Sequence, residues 1–252
     1  QTGCPWDQQQ TYRTLVPYTL EEAYEVADAI EQDELEHLPD ELGDLLFQVV
    51  FYAQIGQEEG RFDFVKVAQS ISDKLVRRHP HVFADAEIES AEEQTQAWEE
   101  HKRQERDRKA GNGQAASILA GVSLALPALV RAAKLQRRAA RVGFDWSDIE
   151  GVLAKVREEL AELESELQAN ATSEALAEEL GDLLFSCVNL ARHLKIEPEA
   201  VLRTANLKFE QRFRHIEAEL KSSGGIKLAT LQEMDAAWEA AKRREKGPPD
   251  SG

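Results

Sequence analysis

The sequence predicts an all-α protein made of two tandem repeats, each a roughly four-helix antiparallel bundle. Three observations predict it. The string Glu41-Leu42-Gly43-Asp44-Leu45-Leu46-Phe47 returns unchanged 138 positions later as Glu179-Leu180-Gly181-Asp182-Leu183-Leu184-Phe185. Around it, Glu21-Glu22-x-x-Glu25 recurs as Glu158-Glu159-x-x-Glu162, Trp6-Asp7 has a counterpart in Asp145-Trp146, and Trp98-x-x-x-Lys102-Arg103 recurs as Trp238-x-x-x-Lys242-Arg243. Offsets that stay within a few residues define a duplicated unit of about 120 residues. Finally, the apolar residues recur with a helical period, and no period-2 alternation of β-branched residues marks a strand.

Taken in order, Leu20, Ala23, Val26 and Ile30 outline a short amphipathic helix that ends near residue 31. Leu42, Leu45, Leu46, Val49, Val50 and Ala53 form one buried stripe on the next helix. Helices follow at 63–78, closed by Pro80, and at 90–108. In the second copy, helices are expected at 126–141, with Gly143 as a stop, at 198–221 and at 230–246. Between the first and second of these, Leu160, Leu163 and Leu167 match the first helix of copy one. Leu180, Leu183, Leu184, Cys187, Val188 and Ala191 repeat the buried stripe. The domains are therefore 1–108 and 124–246, joined by a glycine-bearing linker at 109–123 and followed by a disordered tail at 247–252.

Net charge is -17, from 47 acidic and 30 basic residues. That surface repels a nucleic-acid polymer, so any nucleotide handled here is expected to be a small metal-bound ligand rather than a polymer. No apolar run approaches the roughly 20 residues of a membrane span, and no signal peptide is visible. The two cysteines, Cys4 and Cys187, are too few for a disulfide framework or a thiolate zinc site, so the cytoplasm is the expected compartment. Cys187 falls on the apolar face and is expected to be a buried thiol.

Residues three apart project to one side of a helix. Glu22 with Glu25, and Glu41 with Asp44, thus form two carboxylate pairs that a turn after residue 31 brings face to face. Glu159, Glu162, Glu179 and Asp182 do the same in the second copy. At about 5 Å and an effective dielectric of about 20, each like-charged pair costs roughly 3 kcal/mol. A divalent cation removes that cost, and an all-oxygen donor set selects Mg²⁺ or Mn²⁺.

Two plainer readings compete. Thr19-x-x-Glu22 has the form of a capping box, yet the position matching Thr19 is Val156 while Glu159 remains. A solvated acidic face is the usual fate of charge runs, but spacing and repetition beside an apolar stripe oppose it. A carboxylate-bridged di-iron bundle would need paired Glu-x-x-His motifs, and only Glu34-x-x-His37 occurs.

These motifs, with Gly3-Cys4-Pro5-Trp6-Asp7, Arg78-His79-Pro80-His81-Val82-Phe83 and Val142-Gly143-Phe144-Asp145-Trp146, resemble the all-α nucleoside triphosphate pyrophosphohydrolases in their tandem, MazG-like form. The resemblance covers about residues 1–108 and 124–246. It implies hydrolysis of a nucleoside triphosphate to monophosphate and pyrophosphate with Mg²⁺, and a homodimer whose bundles are completed across subunits. It also implies that Glu159, Glu162, Glu179 and Asp182 hold metal in the second copy, and Glu22, Glu25, Glu41 and Asp44 in the first. Glu158 and Glu21 are then candidates to orient or deprotonate the attacking water.

Cations are needed around a triphosphate. Lys208 and Arg212 in the second copy, and Lys74 and Arg78 in the first, share an i, i+4 spacing suited to a phosphate clamp. Trp98 with Lys102 and Trp238 with Lys242 combine a base platform with a phosphate contact; core packing is the alternative for either tryptophan. Trp6 and Trp146 read as packing, and His79 and His81 as turn or interface residues. The second copy is expected to be the main catalytic one, on its Lys208, Arg212 and Trp238 set. A nucleotide-binding regulatory protein without turnover, and a purely structural helical scaffold, are the competing classes.

Overall fold

The computed structural model of the protein describes residues 3–83, 90, 93–94, 97–98, 117–221 and 224–245. The chain divides into two compact units, Gln1–Lys109 and Ala110–Gly252. Regular structure among the described residues is helical throughout. The first unit carries a short 3-10 turn at Asp7–Gln9, then α1 (Tyr12–Glu31), α2 (Leu38–Glu58), α3 (Phe64–Arg78) and the single turn α4 (Pro80–Phe83). The second carries α5 (Ala128–Ala140), α6 (Ile149–Gln168), α7 (Ser173–His193), α8 (Pro198–Leu220) and α9 (Leu231–Glu245). Most of the helix expected at 90–108, linker residues 109–116, Lys102, Arg103 and the tail at 247–252 lie outside the described residues.

Helix starts follow local chemistry. Thr11 and Thr14 form a reciprocal cap at α1, with Thr11 N–H donating to Thr14 Oγ1 at 2.8 Å. Asp63, Asp148 and Thr172 accept from backbone N–H groups at the starts of α3, α6 and α7. A full capping box opens α9: Thr230 N–H donates to Glu233 at 2.7 Å, and Glu233 N–H returns to the threonine hydroxyl. Several helices end in a left-handed residue, and the residue after it returns its N–H to a carbonyl five residues back. Asp33 (φ 60) and Asn170 (φ 51) occupy matching places in the two repeats. Glu34 N–H reaches Ala29 O at 2.9 Å, and Ala171 N–H reaches Glu166 O at 3.0 Å. Asp and Asn are the non-glycine residues best suited to that conformation.

Two expectations are corrected here. The first helix does not begin near Thr19 but at Tyr12, and it runs through Pro17. A proline in a helix interior removes one backbone bond, so local rules place a start after it; the Thr11–Thr14 cap and the packing of α1 on α2 override that signal. Thr19 is consequently no cap. Its hydroxyl donates to Leu15 O at 3.0 Å and lies 2.9 Å from the Tyr52 hydroxyl on α2.

The second correction concerns the apolar stripe. On α2 the buried residues are Gln48, Phe51, Ala53 and Gly56, whereas Leu42 is 48% exposed, Leu46 54% and Phe47 52%. The matching Leu180, Leu184 and Phe185 on α7 are exposed too, and so is Cys187. The α2 side chains stay exposed although α2 packs on both α1 and α3 among the described residues. Within the same stretch, a methyl group added at Gly43 or at Gly181 would find nothing within 4 Å among the described residues.

In the first unit α1 packs on α2, and α2 on α3. The Thr19–Tyr52 and Glu22–Gln48 contacts, with the turn at 32–37 between them, make α1 and α2 an antiparallel hairpin. In the second unit α6 packs on α7, α5 on α7 and α8, and α8 on α9. Leu15 on α1 and Val152 on α6, at matching places in the two units, are the largest fully buried side chains among the described residues. Ile216, Leu220 and Ala237 form a further core between α8 and α9, joined by Met234 and Trp238. Trp146 packs on the start of α6, where Gly151 leaves room that a Cβ would fill at 2.5 Å from the indole ring.

Candidate active site

The helix hairpins gather the acidic residues as the i, i+3 spacing requires. In the first unit Glu22 on α1 and Glu41 and Asp44 on α2 each offer an oxygen within 4.8 Å of the others. In the second, Glu159 and Glu162 on α6 and Glu179 on α7 do the same. Glu25 and Asp182 stand outside these closest groups, yet each acts on a member electrostatically. Burial first, then the adjacent Glu25, Asp44 and Glu21 carboxylates, push the Glu22 carboxyl above its ordinary range. Burial, then Glu162, Glu159, Asp182 and Glu166, do the same to Glu179. Carboxylates that resist ionisation beside one another are the expected signature of a site completed by positive charge.

The donor set fits a hard divalent cation on structural grounds. All donors are oxygens, they come from two rigid helices, and Glu159 is buried. In the first unit the Gln48 amide, itself buried, reaches Glu22 Oε1 from Nε2 at 3.4 Å and leaves its own Oε1 without a hydrogen-bond partner. A buried polar atom left open beside a carboxylate group is a place where a bound species would be satisfied.

Sequence reading missed Lys155. Its ammonium lies 2.8 Å from Glu158 and 2.8 Å from Glu159, one turn earlier on α6. Hydrogen bonds to Glu158 and then Glu159 raise its pKa above the ordinary lysine value. The signal was present as a lysine three and four residues before two glutamates, a pattern usually read as a surface pair.

The cationic residues are less uniformly placed. Arg212 donates to both oxygens of Glu245, at 2.9 and 2.6 Å, and its guanidinium sits 5.3 Å from the centre of the Trp238 ring. Lys208 is exposed one turn away on α8; with Arg212 it lowers the Glu245 carboxyl, Arg212 being the larger cause. Lys242 pairs with Glu239 at 2.8 Å. Trp238 lies against Phe209 with ring centres 5.4 Å apart and rests on the α8–α9 core. The side chain is half-buried. In the first unit Lys74 is half-buried on α3, one turn before Arg78. Trp98 donates its indole N–H to the Arg78 carbonyl at 3.1 Å and meets His79 edge-on. That Trp98 contact is a packing role.

A polar network marks the entry to α6. Arg192 and His193 at the end of α7 both reach Asp145, and Arg192 also donates to Asn189 at 2.9 Å. The Arg192 hydrogen bonds hold the Asp145 carboxyl well down, at about 2.

Helix hairpins bearing grouped carboxylates, duplicated in one chain, define a class of all-α proteins whose acidic clusters could hold a metal ion. Within it, the MazG nucleotide pyrophosphohydrolase domain matches residues 10–83 and 148–217, and the chain belongs to that family. It is 50% identical over 250 residues to a nucleoside triphosphate pyrophosphohydrolase of Escherichia coli (strain K12), covering 97% of this chain and 92% of the relative. It is 44% identical over 242 residues to a nucleoside triphosphate pyrophosphohydrolase/pyrophosphatase MazG of Thermotoga maritima, covering 95% and 89%. A nucleoside triphosphate pyrophosphohydrolase of Mycobacterium tuberculosis is 38% identical over 145 residues, 57% of this chain and 42% of that protein.

Proposed function

We propose that the chain is an enzyme that hydrolyses nucleoside triphosphates to nucleoside monophosphate and pyrophosphate, clearing ordinary or aberrant nucleotides from the pool. The observation that carries the reading is the carboxylate group on the α6–α7 hairpin, repeated on α1–α2, in a chain of the MazG family. Glu159, Glu162, Glu179 and Asp182 would hold Mg²⁺, with Mn²⁺ as a substitute, and Glu22, Glu25, Glu41 and Asp44 would do so in the first unit. When bound, the ion neutralises phosphate charge and makes a coordinated water more acidic.

The chain's own residues supply the rest. Glu158, exposed beside the buried Glu159, takes a proton from the attacking water, and Glu21 is its counterpart. The water oxygen bonds to the α-phosphorus, and the α–β bridging oxygen leaves with pyrophosphate. Lys208, Arg212 and Lys242 would gather around the phosphates, and Trp238 would stack on the base. Lys74 and Arg78 would act likewise in the first unit. That unit has Tyr18 where the second has Lys155, which favours binding without turnover there.

A second copy of the chain is the proposed partner. Exposed leucines and phenylalanines at matching positions of α2 and α7 support it, because such a face is stabilised by covering it. Two exposed free cysteines suit a reducing compartment and support the cytoplasm. No helix among the described residues is long and apolar enough to cross a membrane. Separation of products after a short incubation tests the reaction: monophosphate and pyrophosphate are expected. Diphosphate and orthophosphate as first products would overturn it.

A further inference from the structure

The matching glutamates Glu22 and Glu159 are held by different devices. The Glu159 carboxylate lies 2.8 Å from the Lys155 ammonium, which simultaneously engages Glu158. In α1 the position four residues before Glu22 is Tyr18, whose ring packs edge-on against Trp6. Among the described residues, no cation is ion-paired with Glu22, Glu41 or Asp44. What meets Glu22 instead is the uncharged amide of Gln48, which is 6% exposed and has a partnerless Oε1. The residue matching Gln48 in α7 is Ser186, whose short side chain carries a hydroxyl and no amide.

A dication meets these two groups on unequal terms. At Glu159 it competes with a full positive charge already resting on one of its ligands, and that ammonium must swing away. At Glu22 it meets three carboxylates whose mutual repulsion is relieved by no described cation, beside a neutral group that yields freely. We infer that, without nucleotide, the first unit holds the tighter of two divalent-cation sites, and that Lys155 is a built-in counter-ion that keeps the second site weak. The inference rests on reading both carboxylate groups as metal sites.

Mn²⁺ titration of the full chain without nucleotide, followed by the loss of its free-ion resonance signal, tests it independently of turnover. Two classes of site per chain are expected. Glu41→Gln should remove the tight class and Glu159→Gln the weak one. Lys155→Met should tighten the weak class by about tenfold, the scale of removing one closely held charge. Tyr18→Lys should loosen the tight class by a similar factor, which keeps the test open if either variant folds poorly. Two equal sites in the unaltered chain would overturn the inference, as would Lys155→Met leaving both affinities unchanged, or loss of the tight class in Glu159→Gln. No Mn²⁺ binding at either site would instead overturn the metal reading on which it stands.

Discussion

The Arg212 guanidinium is shared between two partners of opposite kind: both oxygens of Glu245 grip it edge-on while the Trp238 ring lies 5.3 Å from its carbon. An arginine held this way is pre-oriented, but its charge is already spent on a carboxylate that a phosphate would have to replace.

Arg212→Ala should therefore lower kcat/KM by about tenfold or more, the scale of one charge-assisted hydrogen bond. Glu245→Gln should move the other way, lowering KM by releasing the guanidinium. Initial-rate measurements over a range of triphosphate concentrations check both directions; equal losses from both variants would mean that the pair acts only in packing.

Metal removal is a second lever. Excess chelator should abolish hydrolysis, and Mg²⁺ or Mn²⁺ should restore it. At a metal concentration about 100 times the dissociation constant, folding should gain roughly 2.7 kcal/mol, visible as a raised melting temperature. Undiminished turnover in chelator contradicts the carboxylate assignment.

The two units are expected to contribute unequally to rate. Glu179→Gln or Asp182→Asn should cost a hundredfold or more, about 3 kcal/mol of transition-state stabilisation. Glu41→Gln and Asp44→Asn should cost much less. Circular dichroism and sizing of each variant guard against unfolding. Dead first-unit variants beside active second-unit variants would reverse the assignment.

Asp145 gives a pH prediction whose sign is fixed. Its carboxyl is lowered from 3.8 to about 2 in the folded chain, chiefly by Arg192. Such a group stabilises the fold fully above its unfolded value and loses that contribution as pH falls from there towards about 2. Asp145→Asn should cost about 1–3 kcal/mol near neutral pH, and the gap between variant and parent should close on acidification. Denaturant melts at several pH values decide it.

Much of the hairpin geometry was legible because a repeated i, i+3 spacing leaves few other ways to place Glu22, Glu41 and their counterparts. The start of α1 was not, since Pro17 imitates a boundary and only the α1–α2 packing overrules it. Periodicity marked Leu42, Leu46 and Cys187 as a buried apolar stripe, but a period cannot say whether such a face is covered, and all three are exposed. Lys155, Gln48 and Glu245 escaped because their types are ordinary surface-helix residues; only the fold shows which carboxylate or guanidinium each one meets.

Gly43 and Gly181 carry a consequence of a different kind. A glycine inside a helix costs roughly 0.5–1 kcal/mol relative to alanine, and among the described residues nothing lies within 4 Å of a Cβ placed at either. The lone polypeptide would be sturdier with a methyl group at both places. Any neighbour that presses on that bare strip of backbone would then be pushed away by the same methyl. Under the proposed pairing of two copies, one hydrogen atom per repeat thus sets the sturdiness of the lone chain against the closeness of that contact.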